Sequence, residues 1–380
     1  MVTLRDIRRS GTVFAATMLA FADPGTHYTF TASPFTAFRG PSVEALLYNP
    51  PVDEISWTYP YKPGMTTRRI ETRLVIFGKG FDDGRHKLTY KIAAGEETLH
   101  QDTVDISVTD HWFEKRITLP RKYPQATRIL YEVTSEDRRS LKGCVPLLWS
   151  RFQGRAKYLD GRWRSTYIEL FPKGFNSVGG FWVPVQDDGR FDALLPARVY
   201  PVVNVNGAGY SYDAMERWAW DYDLTRDRED FFTIGRTELY AIHAFDLKAP
   251  VNTIFVTFRP TALSRLLQFD EDGDRLTSGD ERKKMVAAMK HSPTVIGPEL
   301  EAKDVTVWLN GREEKIVQFN KIPEYDGNLW QVQYLLQIFP QRRPARGVWH
   351  EIKLEVRSTE MLQGKELTDF GQGSVGFYRP

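Results

Sequence analysis

Carboxylates crowd one stretch of this chain. Asp270, Asp272 and Asp274 alternate along it, and Asp280 and Glu281 close it, with Gly273 and Gly279 between them. Ca²⁺ is a hard cation that gathers about six to eight oxygen ligands, and loop acids at alternate positions with a closing acid supply most of them. Counted from Asp270, Asp272 is third, Asp274 fifth and Glu281 twelfth. The glycine on which such a loop turns is replaced by Arg275, and Leu276 stands one position early, so the run reads as one residue short and Asp280 becomes the alternative closing acid. A second group is Trp218, Trp220 and Tyr222, which alternate with Asp221 and Asp223. Rings stack on sugar faces and carboxylates bind hydroxyls, so this group is a candidate ligand platform. The same period of two describes a strand with its aromatic face in the core and its charges in water.

Other chemistries find little support. The chain has no H-E-x-x-H, no P-loop and no G-x-S-x-G. Gly371-Gln372-Gly373-Ser374-Val375-Gly376 spells G-x-G-x-x-G, but four residues remain where a helix must follow. His27, His86, His100, His111, His243, His291 and His350 are scattered, and the single cysteine, Cys144, excludes an internal disulfide and a cysteine-based zinc site. Acidic pairs such as Glu324 with Asp326, or Glu366 with Asp369, carry the residue types of a glycosidase without showing the spacing it needs.

The elements that would position these groups are mostly strands. Leu263, Leu266 and Leu267 have helical spacing before the acidic run, and residues 282–290 form a second amphipathic stretch after it. Helix, acidic loop, helix over residues 261–290 resembles a degenerate EF-hand. That resemblance implies one bound Ca²⁺ that rigidifies an insertion. Elsewhere apolar residues alternate with polar ones in short runs separated by turns. Between residues 61 and 150 five or more such runs predict an antiparallel β-sandwich of immunoglobulin-like size. Between 236 and 380 a further six predict another sandwich, which carries the helical insertion, with Asn310-Gly311 as a hairpin turn.

The stretch between them, residues 151–235, carries a resemblance. Residues 154–161 (GRAKYLDG), Ile168-Glu169-Leu170, Asp187-Asp188-Gly189-Arg190-Phe191-Asp192, Leu195-Pro196, Tyr200-Pro201-Val202-Val203-Asn204-Val205 and Gly209-Tyr210 are similar to a carboxypeptidase regulatory-like, or transthyretin-like, domain. The departure is Ala197-Arg198, where that family usually carries Pro-Gly or Ala-Gly. The resemblance implies a small, non-catalytic β-sandwich appended to something else. The expected class is therefore mainly β: tandem antiparallel sandwiches with a short helix-loop-helix insertion.

The first sixty residues admit two readings. Arg5, Arg8 and Arg9, an apolar stretch at 11–20 and Ala20-Phe21-Ala22 spell a signal peptide over residues 1–22. Alternatively, residues 13–21 and 27–31 are strands joined by an Asp23-Pro24-Gly25-Thr26 turn. Residues 33–61, rich in Pro and aromatics, read as an extended lead into the first sandwich.

Composition bounds the function. In 380 residues, 51 basic and 49 acidic side chains leave a net charge of +2, which argues against a dedicated nucleic-acid binder. No run approaches the roughly 20 apolar residues of a membrane span. The reading that follows is a non-catalytic extracellular or periplasmic protein that binds a glycan, a surface or a partner protein, with one Ca²⁺-stabilised loop. The alternatives are a carbohydrate-active enzyme using Trp218, Trp220, Asp221 and Asp223, and a structural subunit of a larger assembly. Oligomeric state is not legible.

Overall fold

A computed structural model of the chain describes residues 41–58, 65–159, 161, 166–172, 180–207, 213–246, 252–270, 279–362 and 364–379. The expected signal peptide at 1–22 and most of the acidic loop lie outside these residues. Two compact units are present among those described, one of residues 41–207 with 216–234, the other of 213–215 with 235–379.

The first unit holds two sandwiches. The earlier one comprises β1 (Ser42–Tyr48), β2 (Glu54–Thr58), β3 (Met65–Arg69), β4 (Arg73–Lys79), β5 (Gly84–Ala94), β6 (Glu97–Val108), β7 (Trp112–Thr118), β8 (Arg128–Ser135) and β9 (Ser140–Pro146). A sheet β1-β4-β7 faces a sheet β6-β5-β8-β9, and β2-β3 is a separate hairpin. Alternation explains the core. Leu74 and Ile76 of one sheet and Leu88, Tyr90, Ile92, Ile129 and Val133 of the other point into one cluster. The lead segment differs from expectation: its residues 42–48 pair with β4 as an edge strand, and Ala45 and Leu47 enter the same core. Its other face is also buried. Tyr48 stacks on Phe181 at 4.6 Å, and its hydroxyl accepts the Trp182 N–H at 3.0 Å. A prolyl-rich flank hid a strand whose four consecutive apolar residues, Ala45 to Tyr48, serve two faces.

The later sandwich comprises β10 (Trp149–Tyr158), β11 (Thr166–Phe171), β12 (Phe181–Val185), β13 (Arg190–Pro196), β14 (Arg198–Gly207), β15 (Arg217–Leu224) and β16 (Arg228–Ile234). One sheet is β13-β10-β16, with β10 and β16 parallel; the other runs β12-β11-β14-β15. Phe152, Phe191 and Phe232 fill its core, with Phe152–Phe191 centroids 4.6 Å apart and Phe191 stacked on Phe232 at 5.6 Å. Gly154 is obligatory, because it holds φ +150° and a Cβ there would sit 1.9 Å from the Asp230 carbonyl oxygen. The Asp-Gly turn forms as the sequence indicates: Gly189 takes φ +81° and its N–H reaches the Gln186 carbonyl at 2.8 Å.

The second unit contains β17 (Thr237–Asp246), β18 (Ile254–Ala262), helices α1 (Leu263–Leu267) and α2 (Gly279–Met289), then β19 (Val305–Leu309), β20 (Arg312–Glu314), β21 (Ile316–Tyr325), β22 (Trp330–Ile338), β23 (Val348–Leu362) and β24 (Lys365–Arg379). Strands β17-β18-β22-β21 are neighbours in one run, and β20-β19-β23-β24 in another. Val256, Phe258, Leu336 and Ile338 from the first run, and Val307, Ile352, Leu354 and Val356 from the second, are fully buried. Asn310 and Gly311 both take positive φ, +51° and +79°, the geometry of a two-residue type I′ hairpin. The segment 371–376 that spells a nucleotide fingerprint lies in β24, paired with β23 along its length.

Candidate functional site

The residues picked out for metal binding divide. Asp270 lies half-buried just after α1, while Asp272 and Asp274 fall outside the described residues. Asp280 and Glu281 stand in the first turn of α2, where acids favour the helix dipole. Asp280 is exposed and meets the Lys283 ammonium at 2.8 Å, which holds its carboxyl below the usual range; Glu281 is buried. The helix before the acidic run has five residues and the one after it eleven. Among the described residues no cluster of three or more His, Cys, Asp or Glu side chains has metal-binding geometry.

The aromatic stripe is interior. Trp218, Trp220 and Tyr222 are only 2%, 5% and 2% exposed. Rings so covered cannot stack on a sugar, which corrects the expectation of a ligand platform at these residues. The stripe is not one face either. The Arg217 guanidinium lies 4.4 Å over the Phe232 ring, and Tyr222 packs edge-on to Phe152 at 5.8 Å. Residues five apart point to opposite faces of a regular strand, yet these two reach one aromatic cluster. Asp221, at φ +47°, supplies the turn-over between them. Burial pushes its carboxyl up to about 6. Asp223 is occupied locally, accepting the Thr225 hydroxyl at 2.7 Å and its N–H at 3.0 Å.

The acidic pairs are also accounted for. Glu324 receives Arg259 through two hydrogen bonds, while Asp326 accepts the N–H groups of Asn328 and Leu329 in the turn. Asp369 is fully buried, held by Arg236 at 2.8 Å and by the Ser264 N–H and hydroxyl. Another buried acid, Glu169, accepts the Gly180 N–H at 3.0 Å. Desolvation pushes it up to about 7, against the pull of Arg68, Trp182 and Arg73. These groups tie strands together.

One surface was not foreseen. The face of β17-β18-β22-β21 opposite the core is partly exposed from the Phe255 row to the Arg259 row and closes where Glu238 and Thr261 are buried. Its register builds rows across the sheet. Phe245 lies opposite Phe255, Phe255 opposite Gln337, and Gln337 opposite Gln318. The next row runs His243, Thr257, Leu335, Asn320. Gln333 faces Ile322, and Gln331 faces Glu324. Along β22 the core residues Val332, Tyr334, Leu336 and Ile338 are buried, while Gln331, Gln333, Leu335 and Gln337 between them are half-exposed. Gln318 and Asn320 of β21 are exposed. Five carboxamides therefore share a face, and no side-chain hydrogen bond within the described residues engages any of them. Arg259 reaches across β22 to Glu324, with an Nε–Oε2 distance of 2.8 Å. Phe245 and Phe255 stack at 5.5 Å and 15°. Burial and, after it, the Arg259 cation lower the His243 pKa and favour its neutral ring. The signal was present in W-Q-V-Q-Y-L-L-Q-I, where amides occupy alternate positions. It was missed because a glutamine on a polar strand face is normally read only as a solvated residue.

No family model matches the chain and no curated protein matches it. Solved structures to which it shows similarity include a DUF3823-family protein from Parabacteroides merdae, at 10% identity over 60% of this chain and 99% of that one, with a TM-score of 0.19. A streptococcal ancillary pilin shows 7% identity over 78% and 93%, with a TM-score of 0.16. CfaE, the adhesive subunit of CFA/I fimbria of enterotoxigenic Escherichia coli, shows 10% over 77% and 87%, with a TM-score of 0.12. Likeness at these scores identifies no activity; the mainly β, tandem-sandwich class stands on the strand pairing itself. Among the described residues no helix is long and apolar enough to cross a membrane.

Proposed function

We propose that this chain is a non-catalytic extracellular or periplasmic binding protein whose contact surface is the open face of β17-β18-β22-β21. The observation that carries the reading is the set of five unengaged carboxamides on that face. Each holds donors and acceptors that water satisfies in the free protein and a ligand satisfies in a complex. An active site would need a free acid or base there. Glu324, the carboxylate of this face, is already held by Arg259. The test is an array of immobilised polysaccharides and extracellular proteins, probed with the full chain and with Leu335→Lys, and assayed in parallel for product release. Retention that Leu335→Lys abolishes, without turnover, supports the reading. Turnover of any probe, or retention that the variant leaves unchanged on all of them, replaces it.

The acidic run 270–281 is proposed, on its donor types and spacing, as a Ca²⁺ loop that stiffens the insertion between α1 and α2. Thermal unfolding in excess Ca²⁺ and in EDTA tests this. A ligand at 100 times its Kd adds about 2.7 kcal/mol to the folded state, a shift of several degrees. Asp270→Ala with Asp272→Ala removes that shift; identical melting of the parent chain in both buffers refutes the site.

A further inference from the structure

We infer that the open face of β17-β18-β22-β21 takes an uncharged polysaccharide chain, laid along β22 across Gln331, Gln333 and Gln337. The inference rests on the reading of that face as the binding surface and adds the chemical class of its ligand.

Charge complementarity excludes the charged alternatives. Arg259 and Glu324 neutralise each other in a bidentate pair, and burial disfavours the charged form of His243. The remaining ionisable groups of its rows are Tyr240, opposite Arg259, and Glu238, which lies opposite Thr261 and is buried. An acidic polymer finds no free cation there, and a basic one finds no free carboxylate. Nucleic acid, which needs Lys and Arg to replace its counterions, is excluded on the same ground.

Hydrogen-bond chemistry selects among neutral ligands. A carboxamide places donors and an acceptor in one plane, and adjacent sugar hydroxyls each donate and accept, so one side chain can serve two hydroxyls. A protein partner would favour exposed aromatic and free arginine anchors in a desolvated centre. Here the only arginine is already paired, and the centre of the face holds amides and a threonine. Apolar surface is present in modest amounts, where the C–H faces of sugars can lie: the Phe245–Phe255 pair at one side, with Leu335 and Ile322 beside the amides. Gln331 to Gln337 spans about 20 Å at roughly 3.3 Å per residue, which suits an extended polymer better than a single small molecule.

Affinity electrophoresis of the full chain is the test. The gels contain a neutral mixed-linkage glucan, a neutral galactomannan, polygalacturonate or heparin. The expected result is retardation in at least one neutral gel and none in the two acidic gels, unchanged between about 0.05 and 0.5 M NaCl because screening does not touch a neutral contact. Gln333→Ala with Gln337→Ala weakens that retardation by about tenfold, since two hydrogen-bonding side chains are lost. Gln153→Ala, on a different sheet face, leaves it unchanged, and circular dichroism melts confirm that all variants fold. Neutral retardation that survives the double variant places the ligand elsewhere and overturns the inference. Retardation only by the acidic polymers, falling steeply with salt, overturns the ligand class. If no polysaccharide retards the chain while the protein probes of the array retain it in a Leu335-dependent way, the ligand class fails and the binding reading stands.

Discussion

Strands β15 and β22 are written in nearly the same alphabet and end in opposite situations. R-W-A-W-D-Y-D-L and W-Q-V-Q-Y-L-L-Q-I both alternate aromatic or aliphatic residues with polar ones. From Arg217 to Trp220 neither face of β15 is open: Arg217 is 3% exposed and Ala219 0%, as covered as Trp218 between them. In β22 one face is core and the other meets solvent. Alternation reports that a strand has two unlike faces; it does not report which of them water reaches. The rings that looked like a platform became interior, and the amides that looked inert became the open surface.

Four measurements break or sharpen this contrast. The largest effect is expected in the aromatic core beneath β15. Phe152→Ala deletes a fully buried ring that touches Phe191, Phe232 and Tyr222, and should cost about 3–5 kcal/mol in denaturant unfolding. A loss under about 1 kcal/mol would show that this cluster is not a packed core.

The next concerns Glu169, in the same sheet as β15. Its folded pKa of about 7 lies above the ordinary 4.5, so the folded state binds that proton more tightly than the unfolded one. Its favourable contribution is complete below about pH 4.5 and lost as pH rises to about 7. Glu169→Gln keeps an acceptor for the Gly180 N–H without the charge. It should match the parent near pH 4 and exceed it by about 2–3 kcal/mol at pH 8. A difference independent of pH would mean that the carboxyl is not protonated in the fold. The open face of β22 carries no such buried acid, so Gln333 variants should show no pH-dependent difference.

A smaller cost is expected at the turn between β19 and β20. Gly311→Ala forces a Cβ into φ +79° with open space around it, so the loss is backbone strain alone, about 1 kcal/mol by thermal melting. The smallest effect belongs to the open face itself: Gln333→Ala should change unfolding free energy by less than about 0.5 kcal/mol. A larger loss would make that glutamine structural and remove the contrast with β15.

Local chemistry made much of the architecture legible. Asn310-Gly311 and Asp188-Gly189 turn where their positive φ values require Asn and Gly, and the runs 88–92, 254–258 and 330–338 form strands because their apolar residues alternate. Among the strands that escaped, two did so for opposite reasons. β1 is buried on both sides, so its continuous apolar run shows no period of two. β24 carries Gly371, Gly373 and Gly376, residues that signal turns, yet Gly371 is small because the Thr237 backbone oxygen comes within 2.6 Å of where a Cβ would lie. What the residues decided alone was the tandem β class, most turn positions and a near-balance of basic and acidic side chains. What the tertiary structure decided was which face of each strand is covered, how Asp221 turns β15 over, and which polar groups stay unspent. The reason is that burial belongs to a pair of surfaces: a side chain's neighbours along the strand set its direction, while the sheet packed against it determines whether water remains.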